Sequence, residues 1–274
     1  MSALSDYLEL ALVRHVLGGS AFTAPSTMYL ALFTSPPADD AVGTEVAGGG
    51  YQRVSITNNT TNWPNASIKI KANGTTITFP TATADWGTVT HWALMTSPTD
   101  DTEILAHGAF TTATEVESGS TFAVGEGGLV ITAPEKFSQT FAHAVLDHVF
   151  GKTTYSAPGT VYMVLCLGEP DTTDGVASVE VSGYNYARKA ITNNSTNWTD
   201  GTGTSRVSGA AVTFNQATGG PWGTVTHWAL MNNGTLSNQG DAYVMMWGVL
   251  TSPTSIVNTN TPQFAAGDIL ISLD

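Results

Sequence analysis

A single cysteine, Cys166, in 274 residues excludes an internal disulfide. No apolar run approaches the roughly 20 residues that a membrane-crossing helix needs. Basic residues are scarce: 9 Lys and Arg stand against 22 Asp and Glu. The resulting net charge of −13 sets a repulsive field before any phosphate backbone, which argues against direct DNA or RNA binding. Charge of either sign is thin. With 11% of residues charged and 42% hydrophobic, surface polarity falls to Thr, Ser, Asn and Gly, a composition that suits stable assembly and leaves ample core material. The chain has no G-x-S-x-G elbow and no recurring Cys or acid at metal-ligand spacing, so neither an enzyme nor a cofactor is expected. The opening "MSALSDYLELALVRHVLGG" carries Asp6 and Glu9 where a secretory leader would be basic, so nothing there directs export.

What the sequence does contain, it contains twice. "WGTVTHWALM" runs from Trp86 to Met95 and again from Trp222 to Met231. Around this anchor, "HVLGGSAFTAPSTMYLAL" from His15 answers to "HVFGKTTYSAPGTVYMVL" from His148, and "YQRVSITNNTTNW" from Tyr51 to "YARKAITNNSTNW" from Tyr186. Near the ends, "FAVGEGGLVIT" from Phe122 aligns with "FAAGDILISL" from Phe264. A repeat this long is a whole domain rather than a solenoid unit. Two domains are therefore expected, 1–133 and 134–274, joined by the few residues of "TAPEKFS" and held in a restricted relative orientation.

Each copy opens with its one clear helix. Ser5 is an N-cap for the stripe Leu4, Leu8, Leu12 and Val16, which Gly18-Gly19 stops; Ser138 caps Phe137, Phe141, Val145 and Val149, with Gly151 as the stop. The greasy face of each helix should close its own β-domain or pack on a neighbouring subunit. After the helices the pattern is strands: "TMYLALFT", "TVYMVLCL", "TTITFPTA", "AAVTFNQA" and the decapeptides, punctuated by turns such as "TSPTDD" and "NNGTLSNQGD". The expected class is mainly β, two tandem antiparallel β-sandwiches of jelly-roll type, each preceded by one short α-helix. Cys166 aligns with Phe33 in an apolar run and reads as a small buried hydrophobe.

The order "TAPSTMYLALFTSPP", "GTEVAGGGYQR", "TITFPTATADWGTVTHWAL" and "FAVGEGGLVIT" resembles the small tail fibre and minor tail proteins of tailed bacteriophages. The match is looser in the second copy, where "GGGY" becomes "GYNY" from Gly183. The resemblance implies a structural virion protein, tail-associated or capsid-decorating, assembled in the host bacterial cytoplasm against other virion proteins. Fusion of two copies points to a homo-oligomer, expected as a trimer presenting six similar domains.

Candidate sites follow from what recurs. The decapeptide reads as a central strand with Thr88, Thr90 and Trp92 on one face and Val89, His91 and Ala93 on the other; Trp86, His91, Trp222 and His227 are expected to be mostly buried. The alternative is an exposed aromatic platform for sugars. His15, His91, His148 and His227 recur in pairs as hydrogen-bonded structural histidines. Glu45 and Glu180 precede Tyr51 and Tyr186 as turn caps or as acids acting on substrate. The strongest binding candidate is the loop holding Asn58, Asn59, Asn62 and Trp63, with Asn193, Asn194, Asn197 and Trp198 in the second copy. Its amides could bond a partner's backbone or a host-surface glycan, or else close an Asx turn while the Trp plugs the sandwich.

Overall fold

The structure, a computed structural model, describes residues 4–100, 103–171, 173, 175–234 and 243–273. Residues 235–241 of the loop opening at Asn232, and Asp101 of the "TSPTDD" turn, lie outside that range. The first repeat runs α1 (Asp6–Val16), β1 (Thr27–Phe33), β2 (Val54–Thr57), β3 (Ile70–Ala72), β4 (Ile77–Thr81), β5 (Gly87–Met95), β6 (Ile104–Val116), β7 (Thr121–Val124) and β8 (Val130–Thr132). The second runs α2 (Gln139–Val149), β9 (Thr160–Cys166), β10 (Lys189–Thr192), β11 (Trp198–Asp200), β12 (Arg206–Ser208), β13 (Val212–Thr213), β14 (Gly223–Met231), β15 (Val244–Ile256), β16 (Gln263–Phe264) and β17 (Leu270–Ile271).

The fold is mainly β and antiparallel. Each repeat is built on a four-stranded sheet, in the order β2-β1-β5-β6 and β10-β9-β14-β15. Short ladders make up the second layer: β3-β8 and β4-β7 in the first repeat, β11-β12-β17 and β13-β16 in the second. The central strands are buried on both faces, which is why "MYLALF" and "VYMVLC" read as continuous apolar runs rather than alternating ones. One face joins the main core. The other carries Ala31, Phe33, Ala93 and Met95, or Val164, Cys166, Ala229 and Met231, in separate clusters. Burial pushes the Cys166 thiol up to about 12, leaving it a protonated hydrophobe at neutral pH.

Both helices form for the reasons legible in their sequences. Ser5 Oγ accepts from Leu8 N–H at 3.3 Å and Ser138 Oγ from Phe141 N–H at 3.2 Å. The chain leaves each helix through a left-handed glycine, Gly18 at φ 65° and Gly151 at φ 119°. Their apolar faces enter one core cluster that runs through both repeats without a break.

Two sequence expectations need correction. The decapeptide does not keep simple alternation: Val89 pairs with Thr114 but His91 with Ala109, so a step of two on β5 meets a step of five on β6. This bulge turns the strand over, placing Val89 and Trp92 together in the main core while His91 and His227 remain only half-buried. Trp86 and Trp222 are buried as expected, at 5% and 4% exposure, with each indole N–H donating at 2.9 Å to a carbonyl, Gly49 O or Tyr184 O.

The second correction concerns the ends. Gly119 N–H donates to Ala82 O and Thr259 N–H to Ala217 O; Gly127 N–H donates to Asn73 O and Gly267 N–H to Ser208 O. These bonds place Phe264 at the position of Val124, and Pro262 at that of Phe122. The shared "FA" letters misalign by two residues, because backbone register to the facing turn, not side-chain identity, fixes the strand.

Candidate functional site

The polar loop that follows β2 in the first repeat and β10 in the second clamps the helix of the opposite repeat. Asn58 Nδ2 donates to Val149 O at 2.8 Å, at the end of α2, and to Pro25 O at 2.9 Å; its Oδ1 accepts from Gly151 N–H at 2.6 Å. Asn193 mirrors it, with Nδ2 donating to Val16 O at 2.9 Å, at the end of α1, and to Pro158 O at 2.8 Å. Helix C-termini leave carbonyls without intrahelical partners, and these amides satisfy them from across the molecule. The backbones come so close that a Cβ on Gly18 would lie 2.4 Å from Asn194.

Asn59 and Asn194 act locally. Asn59 Oδ1 accepts from the N–H groups of Thr61 and Asn62, and Asn194 Oδ1 from those of Thr196 and Asn197, which is Asx-turn chemistry. Asn62 Nδ2 and Asn197 Nδ2 close the loop on Thr57 O and Thr192 O. Trp63 and Trp198 are fully buried, and Trp63 packs on Phe150 at the foot of α2 with ring centroids 5.4 Å apart.

Between the two clamps lies the axis that relates the repeats. His15 and His148 stack there with ring centroids 4.7 Å apart and planes 5° from parallel. His15 Nδ1 lies 3.2 Å from its own repeat's Phe22 N–H and its Nε2 lies 3.2 Å from Tyr155 O of the other. His148 repeats the pattern with Tyr155 N–H at 3.3 Å and Phe22 O at 3.1 Å. A backbone N–H can only donate and a carbonyl can only accept, so both rings are assigned as neutral Nε2–H tautomers. Burial first, and the facing His148 second, lower the pKa of His15.

The two flanks of the axis differ in charge. Asp147 on α2 receives Lys71 Nζ from β3 at 2.6 Å, and the Lys71 side chain is only 1% exposed. Burial lowers the Lys71 pKa and Asp147 opposes the shift. At the matching place on the other flank the helix carries Arg14 and the strand Arg206. Asp200 lies between these two cations, 2.7 Å from Arg14 and 2.8 Å from Arg206. They hold its carboxyl down to about 2, Arg14 contributing most.

Glu45 and Glu180 are each taken up by a tyrosine and an arginine. Arg53 meets Glu45 through two bonds of 2.9 and 2.7 Å, and Tyr51 Oη donates to the same carboxylate at 2.7 Å. Arg188 and Tyr186 do the same to Glu180. Bidentate geometry locks the loop after β1 or β9 over its sheet. Burial raises both tyrosine hydroxyls, so they stay protonated donors.

Sequence reasoning marked Asn58 and Asn193 as candidates for a partner or glycan, not as ties between the repeats, and it missed the ion pairs altogether. The spacing Glu45, Tyr51, Arg53 recurs unchanged as Glu180, Tyr186, Arg188 and could have marked that network. No such signal existed for Lys71 and Asp147, since the helix charge reverses to Arg14 in the other copy. The family model described as "Podophage GP4 fiber I protein gp80" matches the chain twice, over residues 3–132 and 136–272. No curated protein matches the sequence.

Proposed function

The chain belongs to the podophage GP4 fiber I protein gp80 family, and from that membership we propose that it is a non-enzymatic structural component of the phage particle, tail-associated and acting by protein–protein assembly. Two tandem domains, 1–133 and 134–274, enter the assembly as one body. The observation that carries this reading is the reciprocal clamp, in which Asn58 and Asn193 each hold the helix of the opposite repeat. A continuous core between the repeats adds to it, and a hinge there would have to break both.

The absence of catalysis is supported by the fate of Glu45 and Glu180, the acids that recur at matching positions and that are each neutralised by a bidentate arginine. The same placements bear on where partners bind. Asn58, Trp63 and Trp198 are buried, so any partner or glycan at those loops would meet Asn59, Asn62, Asn193, Asn194 and Asn197, which are partly exposed. Self-association as a trimer, packing against other virion proteins and assembly in the host cytoplasm complete the proposal. Mass-spectrometric inventory of gradient-purified particles tests it: peptides from both repeats should appear in fixed ratio to a known tail protein, and their absence from infectious particles would sink the reading.

A further inference from the structure

An open cavity of about 380 Å³ adjoins the stacked histidines, within the range of small-molecule sites. Both repeats build it. Ala21, Phe22 and Ala24 come from the first and Thr154, Tyr155 and Ser156 from the second, and His15 and His148 line it as well. These walls are nearly symmetric, since Phe22 and Tyr155 make the same backbone hydrogen bonds to the two rings. One residue breaks the symmetry. Lys152 lines the cavity at the position that Gly19 holds in the first repeat, where "HVFGK" answers to "HVLGG".

That lysine sits in an unfavourable conformation. Lys152 has φ 59°, left-handed backbone that penalises a Cβ, while Gly19, free to adopt it, does not. Its ammonium is also unpaired. Six of the nine basic side chains hold a carboxylate, whereas Lys152 makes no ion pair among the described residues. It is the one charged group on the lining, because the two imidazoles are neutral and no Asp or Glu among the described residues borders the space. Acids outnumber bases by 22 to 9 over the chain, so a cavity bordered by a cation and no acid reverses the prevailing sign. The histidines do not make it a metal site, since both nitrogens of each ring are already engaged.

We propose that this axis cavity binds a small organic carboxylate, its apolar body against Ala21, Phe22 and Ala24 and its charge on Lys152. An ammonium donates to a carboxylate in a charge-assisted hydrogen bond, and a concave apolar site makes that contact stronger than it is on open surface. The apolar wall supplies contact area that a bare inorganic anion does not use. Because the walls come from both repeats, an occupant joins the clamp asparagines in holding them together and stabilises the folded chain by mass action.

Saturation-transfer NMR on the full chain tests the site with benzoate, its neutral analogue benzyl alcohol, and inorganic phosphate as a competitor. The expected result is transfer to benzoate at millimolar concentration, stronger than to benzyl alcohol and not displaced by equimolar phosphate. Lys152→Gly installs the first repeat's residue and removes the left-handed side chain, so the fold is kept. It should weaken benzoate about tenfold, the loss of one hydrogen bond to a charged group, while Lys152→Arg should retain it. Ala21→Trp, a change at an exposed wall residue, should abolish transfer by filling the space. No transfer to benzoate, equal transfer to benzyl alcohol, displacement by phosphate, or benzoate binding unchanged by Lys152→Gly or by Ala21→Trp would overturn the assignment. The isolated protein suffices for this measurement, so its outcome is independent of the particle inventory.

Discussion

His15 and His148 stack face to face, 4.7 Å between centroids, each donating to a backbone carbonyl of the opposite repeat and accepting from an N–H of its own. His15 cannot take a second proton without losing its Nδ1 bond to Phe22 N–H. The charged groups nearest along the packed elements are Arg14 and Asp147, each engaged by another ion, and Lys152, which lines the adjoining cavity with Tyr155.

Acid should therefore weaken the joint between the repeats. Because the folded His15 pKa lies below its ordinary value of 6.5, the unfolded chain takes up the proton first. The stability this histidine contributes is complete above that ordinary value and is lost as the pH falls through it toward the folded pKa. Melting temperatures measured from pH 7.5 down to pH 5 should fall more steeply for the natural protein than for His15→Gln, which keeps a donor for Tyr155 O. Parallel pH profiles for the two proteins would remove the pair from the account.

Removing either clamp amide should cost roughly 1–3 kcal/mol, since helix-end carbonyls are left buried without a donor. Asn58→Ala should cost more than Asn193→Ala, because Asn58 also accepts from Gly151 N–H while Asn193 Oδ1 has no hydrogen-bond partner. Urea unfolding of the two variants reads the order directly, and equal midpoints would contradict it.

The two ionic flanks should respond unequally. Asp147→Ala strands the buried Lys71 ammonium and is expected to cost about 3–5 kcal/mol. Arg14→Ala removes a solvent-exposed contact and leaves Asp200 still paired with the buried Arg206, so it should cost less than about 1 kcal/mol. Calorimetry at low and at high salt separates these, with the small effect screened and the large one persisting.

Much of this molecule could be read from its letters. Helix stripes, serine caps, glycine stops and the apolar central strands are local features, and Ser5, Gly18 and Val161 lie where the pattern placed them. The duplication itself was legible from the decapeptide. The joint between the repeats was not, because it pairs residues more than 70 positions apart whose charges are exchanged between copies. The loop asparagines illustrate the limit. Their recurrence marked them for binding, but a sequence does not distinguish an external partner from the other half of the same chain. The terminal strands failed for a different reason: two matching letters, Phe122-Ala123 and Phe264-Ala265, outweighed a register that only the facing turns reveal.

One local conflict gives a stabilising prediction. Ile68 and Lys69 occupy left-handed backbone at φ 47° and 62°, and Ile68 is 73% exposed. Ser67 and Ile70 exchange both backbone hydrogen bonds across this tight turn, which favours Asn and Gly. A β-branched residue there costs on the order of 1–3 kcal/mol, so Ile68→Asn should raise the thermal midpoint. A fall instead would mean that the isoleucine makes a compensating contact.

The central claim is that the repeats enter the phage particle as one rigid, reciprocally clamped body. A cryo-electron microscopy map of intact particles, resolved well enough to place helices, tests it most directly. The account predicts fibre-associated density into which the whole chain fits as a single unit, with α1 and α2 meeting at the His15–His148 axis. Density requiring the two repeats to be fitted separately in different relative orientations, or particles bearing no such density, would contradict it.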